Sequence, residues 1–207
     1  MNYSWTRHYQ RYEYLALKGY ITGKSVMDIG AGSAFGSNFM TKYAKEVYAV
    51  DPVLTDIATN IKAGKKMYSV EPATAGCDVK RRFISAFKFE DVIDKIKVDV
   101  AVAVEVFEHA KNPSEFISDI ANVAEFAFLT TPMVGKTISK PENQEHVAEY
   151  SRNDFYRIVE EKFKILDFAY QFSNLTIKEG FHPKLKARGH SLNENHIVQM
   201  VWCKRKK

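Results

Sequence analysis

Glu105-Val106-Phe107-Glu108-His109 sets two carboxylates and an imidazole within five residues, and His146 adds a second imidazole further along the chain. At helical spacing the first and fourth positions share a face with the fifth beside them, so three ligand-type side chains can converge. Imidazole titrates near working pH, so His109 or His146 can also serve alone as a general base. The plainer alternative leaves Glu105 lining a pocket while Glu108 and His109 only cap the loop that follows.

A second group sits earlier, in Val26-Met27-Asp28-Ile29-Gly30-Ala31-Gly32-Ser33-Ala34-Phe35-Gly36. It begins as a short apolar strand, turns through glycines and enters an amphipathic segment. Such a turn offers backbone N–H groups and little side-chain bulk at the start of a helix, so a nucleotide-like ligand can approach closely. The dinucleotide fingerprint G-x-G-x-x-G fits only partly, because Phe35 stands at its last position and the glycine comes one residue late. Asp51 follows about twenty residues after the turn, at the end of the next predicted strand. A carboxylate there can accept hydrogen bonds from both hydroxyls of a ribose. Asp51-Pro52 can equally cap the next helix.

These groups need a scaffold, and the 207 residues suit one domain with a full core. No apolar run is long enough for a bilayer and no signal-peptide layout opens the chain. Cys77 and Cys203 form no C-x-x-C pair, which disfavours a structural zinc site and suits free thiols in the cytoplasm. The net charge of +5 is concentrated late, in Lys178, Lys184, Lys186, Arg188 and Lys204 to Lys207. That reads as a solvated face and tail rather than a nucleic-acid surface, since aromatic residues are not interleaved with the basic ones.

Apolar patterning predicts helices over 3–19, 35–43, 53–62, 90–96, 113–123 and 152–161. The first carries Tyr9, Tyr12, Leu15 and Leu17 on or near its apolar side. Strands are predicted over 24–29, 45–50, 82–87, 98–104, 125–129, 163–172 and 196–203, with an irregular stretch over 64–82 that holds at most a short strand at 66–70. Strand–helix alternation through five units means an α/β fold, a Rossmann-like seven-stranded and mostly parallel sheet with helices on both faces. The last two strands suit a C-terminal antiparallel hairpin. Ligands of such sheets bind beyond the carboxyl ends of the strands, where Gly30, Asp51, Ala86, Glu105 and Thr131 fall.

The pattern D-x-G-x-G-x-x-x-G of residues 28–36 resembles motif I of the class I S-adenosylmethionine (SAM) methyltransferases, with Ala34 where most members carry glycine. His8-Tyr9-Gln10-Arg11-Tyr12 resembles the opening H-x-x-R-Y helix of a bacterial and viral group of small members. Glu105 to Pro113 is similar to that group's E-x-x-E-H-x-x-x-P segment. Thr131-Pro132 with His146 to Tyr150 is similar to its T-P-N … H-x-x-E-Y block, with Met133 in place of Asn. The resemblance implies SN2 transfer from the sulfonium of SAM, with S-adenosylhomocysteine (SAH) as product. Gly30, Ala31 and Gly32 would lie under the methionine moiety, and Asp28 would orient the turn or meet the methionine amine through water. Asp51 with Pro52 would hold the ribose, Ala86 and Phe87 would flank adenine, Glu105 would line the pocket, and Arg11 or Tyr9 would close over the methionine end. The likeness extends to the ubiquinone-pathway O-methyltransferases and the small-RNA 2′-O-methyltransferases, which implies Mg²⁺ or Mn²⁺ on Glu105, Glu108, His109 and His146. His109, His146 and Glu105 are then the candidate catalytic residues. The expected acceptor is a small molecule or glycan component methylated on oxygen. An RNA-modifying 2′-O-methyltransferase and a non-catalytic SAM-fold binding protein are the alternatives. Residues 1–20, 133–150 and 173–195 would form the substrate lid.

Overall fold

The computed structural model describes residues 3–51, 81–84, 89, 92–134, 145–172, 175–180 and 197–207. The chain divides into two compact units, Met1–Val102 and Ala103–Lys207.

The first unit opens with α1 (Tyr3–Leu17). Tyr12 and Leu15 are buried as expected, whereas Leu17 is 80% exposed. Leu17 follows Leu15 by two residues, about 200° round a helix, so it faces solvent. Strands β1 (Ser25–Ile29), β2 (Glu46–Val50) and β3 (Arg81–Ile84) pair in parallel, and β4 (Val98–Val104) lies beside β1 in the order β3-β2-β1-β4. The near-continuous burial of β1 and β4 explains their largely apolar sequences, broken by buried Asp28 in β1 and exposed Asp99 in β4. Ile29 pairs with Val50, so the glycine turn and Asp51 leave the sheet at the same level. Helix α2 (Phe35–Met40) ends three residues earlier than the periodicity predicts. The Thr41 hydroxyl donates to the Asn38 carbonyl at 2.7 Å, a local bond of the kind that competes with helix propagation. Of the helix expected over 90–96, residues 92–95 form a turn, with the Val92 carbonyl accepting from Lys95 and Ile96 N–H at 3.0 and 3.1 Å, and residues 90 and 91 lie outside the described residues. The helix over 53–62, the irregular stretch at 64–80 and the end of the third strand at 85–87 lie outside the described residues.

The second unit receives the end of β4 and continues through a 3-10 turn (Phe107–His109), α3 (Pro113–Val123), β5 (Ala124–Pro132) and α4 (Arg152–Val159). Asn112 caps α3 by accepting from Glu115 N–H, with Pro113 in the first turn. Ser151 caps α4 in the same way through Asp154 N–H. Strands β6 (Phe163–Gln171), β7 (Ile177–Glu179) and β8 (Val198–Arg205) complete the order β5-β8-β6-β7, and every pairing in it is antiparallel. The seven expected strands are all present, and the β6–β8 pair is the expected hairpin. The three-residue β7 joins within the segment expected to be loop. β5 runs on through Thr130, Thr131 and Pro132 because β8 pairs with it to Val198. Parallel early strands and antiparallel late ones give the mixed α/β, Rossmann-like architecture. Among the described residues no helix is long and apolar enough to cross a membrane.

Candidate active site

In the first unit the glycine turn is built from β1 and β2 together. The N–H groups of Gly30 and Ala31 both donate to the Val50 carbonyl, at 2.9 and 3.2 Å. Gly32 N–H donates to Asp51 Oδ2 at 2.8 Å. The carboxylate expected to meet a ribose thus stands directly against the turn expected to carry the methionine moiety. Gly30 and Gly32 have φ of 69° and 55°, a region that favours glycine. A Cβ on Gly32 would meet nothing within 4 Å, so backbone conformation rather than crowding explains this glycine. Ala34 adopts φ 60° at the N-terminus of α2 without a side-chain cap. This is where the resembling family carries glycine. Gly36 has a different reason: a Cβ there would fall 2.1 Å from Cζ of Tyr12. The third glycine admits the Tyr12 ring of α1 onto α2.

Beneath the turn, Asp28 is fully buried. Its Oδ1 accepts from the Tyr12 hydroxyl at 3.1 Å and its Oδ2 from the Ser37 hydroxyl at 2.5 Å. Burial pushes its carboxyl up to about 7 and the nearby Asp51 charge adds to the rise, while the two hydroxyl bonds oppose it. Burial and the Asp28 charge also push the Tyr12 phenol well above its ordinary range. Asp28 therefore braces α1, β1 and α2 from within. Arg11 on α1 is 1% exposed. Pro52, Ala86 and Phe87 lie outside the described residues.

In the second unit Glu105 takes φ 57° directly after β4. One hydroxyl holds it there: Thr130 Oγ1 accepts from Glu105 N–H at 3.0 Å and donates to Glu105 Oε1 at 3.3 Å. The next residues form a 3-10 turn, so Glu105 and Glu108 are not on one helix face as the spacing predicts. A residue in the left-handed region interrupts any helix through it. Phe107 seats the turn. It is fully buried, with ring centroids 4.8 Å from Tyr150, 4.9 Å from Phe155 and 6.3 Å from Phe116.

With the turn seated, Glu108, His109 and His146 each offer one ligand atom, all within 4.8 Å of one another. Glu105 is not among them. The buried Glu108 carboxylate accepts from the Thr131 hydroxyl at 3.0 Å. Its backbone carbonyl accepts from Val147 and Ala148 N–H at 2.8 and 3.2 Å, which holds the His146 segment against the turn. His109 Nδ1 lies 2.7 Å from the Glu145 carbonyl, and His146 Nδ1 lies 2.9 Å from Glu149 Oε1. The two imidazoles meet edge to face, centroids 5.1 Å apart and planes at 86°. A carbonyl only accepts, so the His109 ring donates from Nδ1, and the lone pair of its neutral form is on Nε2. One carboxylate and two imidazole nitrogens suit a hard or borderline divalent cation. Without a cation an imidazole nitrogen there could serve as a general base.

Sequence reasoning placed Thr131 at the ligand-binding end of its strand without giving it a partner, and did not single out Thr130 or Ser37. The signal for the threonines is that both are polar residues at the end of a strand whose other buried side chains are apolar.

A family model described as a methyltransferase domain matches residues 5–162. No curated protein matches the chain in sequence. Among solved structures, magnesium protoporphyrin IX methyltransferase ChlM from Synechocystis PCC 6803, with SAH bound, is similar at TM-score 0.63 and 17% identity, covering 97% of this chain and 84% of that one. A SAM-dependent methyltransferase of Leishmania major is similar at TM-score 0.62 and 15% identity, covering 98% and 72%. The small RNA methyltransferase HEN1 is similar at TM-score 0.63 and 18% identity, covering 96% of this chain and 25% of that one. At these identities the likeness to solved structures speaks for the fold, and the family model speaks for the chemistry. The chain belongs to the methyltransferase-domain family and is a SAM-dependent methyltransferase of the class I, Rossmann-like fold.

Proposed function

We propose that this enzyme methylates a hydroxyl oxygen of a small molecule or glycan component, and that Glu108, His109 and His146 hold a Mg²⁺ or Mn²⁺ ion that meets the acceptor hydroxyl. The observation that carries this reading is the convergence of three ligand atoms of hard and borderline type within 4.8 Å. A divalent ion bound there would lower the pKa of a coordinated hydroxyl and fix its oxygen. SAM, when bound, supplies a methyl group already activated on a sulfonium. The new O–C bond forms as the C–S bond breaks, and the hydroxyl proton leaves to solvent or a nearby base. The protein's own task is alignment and exclusion of water. Gly30, Ala31 and Gly32 would carry the methionine end and Asp51, with Pro52, the ribose. Ala86 and Phe87 would flank adenine, Glu105 would line the pocket, and Arg11 would close over the amino-acid end.

Transfer of labelled methyl from SAM to a panel of vicinal diols, catechols and sugars tests this reading, with and without chelator. Transfer abolished by chelator and restored by Mn²⁺ supports it. Transfer indifferent to chelator but lost in His146→Ala would replace the ion with a histidine base.

RNA as acceptor is the second reading, favoured by the net charge of +5. Much of the basic tail is already engaged, however. Arg205 donates to the Ala121 carbonyl at 2.8 Å, Lys206 to the Glu160 carbonyl, and Lys204 pairs with Glu125 at 3.1 Å. RNA affinity falling steeply with salt would support this reading, and no RNA binding at low salt would remove it.

A further inference from the structure

We propose that Glu149 is a positioning residue, whose buried carboxylate holds His146 in the Nδ1–H form so that Nε2 carries the lone pair. The use of that lone pair by a cation rests on the reading above, whereas the tautomer itself does not. The bond is 2.9 Å, and the Glu149 side chain is 0% exposed against 9% for His146. Ionised carboxylates only accept, so the shared proton belongs to the ring. The same arrangement, a carboxylate behind a histidine, fixes ring orientation and raises ligand basicity in known metal centres.

Both imidazoles are set by one short stretch. Glu145 supplies the carbonyl under His109, and Glu149 supplies the carboxylate under His146. The stretch is fixed at both ends. Glu108 C=O takes the Val147 and Ala148 N–H groups, and Tyr150 C=O accepts from Gln199 Nε2 at 3.1 Å. Of the two acceptors only Glu149 is a side chain, so only it can be changed by substitution. Tyr150 beside it packs on Phe107, which keeps the carboxylate in register with the turn that bears Glu108 and His109.

Long-range ¹H–¹⁵N spectra at mildly alkaline pH report the tautomer directly, with the His146 signal assigned by its loss in His146→Gln. Free histidine in water favours the Nε2–H form, so an Nδ1–H pattern is informative. The wild type is expected to show His146 as Nδ1–H. Glu149→Leu, which removes the acceptor, is expected to move it toward Nε2–H and to weaken Mn²⁺ binding by about 10- to 100-fold, with SAH affinity unchanged. A purely structural role for Glu149 would not move the tautomer. A wild-type His146 in the Nε2–H or doubly protonated form overturns the proposal, and needs no variant to fold. So does a folded Glu149→Leu protein with wild-type tautomer and Mn²⁺ affinity. A wild type that shows Nδ1–H yet binds no Mn²⁺ removes the cation and leaves Glu149's positioning of His146 standing.

Discussion

Replacing Asp28 by Asn should flatten a specific part of the protein's pH–stability profile. In the folded chain the Asp28 carboxyl is pushed up to about 7, against 3.8 for an exposed aspartate, chiefly by burial. Between those values the folded state holds a proton that the unfolded state has released. Stability from this group is therefore full below about pH 4 and is lost as pH rises toward 7. The interval corresponds to about 4 kcal/mol, at 1.36 kcal/mol for each pH unit. Asparagine has the same shape and no charge. Its carbonyl can accept from the Tyr12 or Ser37 hydroxyl and its amide can donate to the other, so it carries no such slope. Urea unfolding of both proteins from pH 4.5 to 8 isolates the effect, because the remaining titrating groups cancel in the difference. Asp28→Asn should gain on the wild type steadily as pH rises and level off above 7. A difference constant with pH, or one that moves in favour of the wild type as pH rises, would refute the assignment of a buried, protonated carboxyl.

Three further outcomes follow from the geometry. Gly36→Ala places a methyl 2.1 Å from the Tyr12 ring, and displacing that ring should cost about 1–3 kcal/mol in urea unfolding and lower SAH affinity through the turn beside it. Ala34→Gly relieves an L-residue at φ 60°, a gain of about 1–2 kcal/mol partly offset by chain entropy, so its urea midpoint should equal or exceed the wild type's. Thr131→Val removes the hydroxyl that donates to buried Glu108. It should cost about 1–3 kcal/mol and weaken Mn²⁺ binding measured by calorimetry, while SAH still binds.

The parts legible in the sequence are those governed by local pattern. Buried parallel strands are mostly apolar, so β1 and β4 announce themselves, and the turn between β1 and α2 needs glycine at φ near 60°. Burial over 35–43 reads as one helix because side-chain periodicity does not register a hydroxyl that caps it early at Thr41. The ligand cluster was legible in composition but not in geometry. Glu105 and Glu108 are three apart, yet a left-handed Glu105 places them on a strand end and a 3-10 turn rather than one helix face. His146 arrives through backbone bonds to the Glu108 carbonyl, which no spacing records. Thr130 and Thr131 gain their roles only because β8 pairs with β5 far enough to keep them in the strand. Gly36 shows the reverse case: a glycine that fits a cofactor fingerprint is required by the ring of Tyr12.

Glu108, His109 and His146 are proposed to form a cation site in this methyltransferase. Calorimetric titration of Mn²⁺ into the protein saturated with SAH tests it most directly, with Glu108→Ala and His109→Ala alongside. Saturable binding at one site is expected in the wild type, lost in both variants while SAH remains bound. SAH bound normally with no Mn²⁺ uptake by the wild type would contradict it.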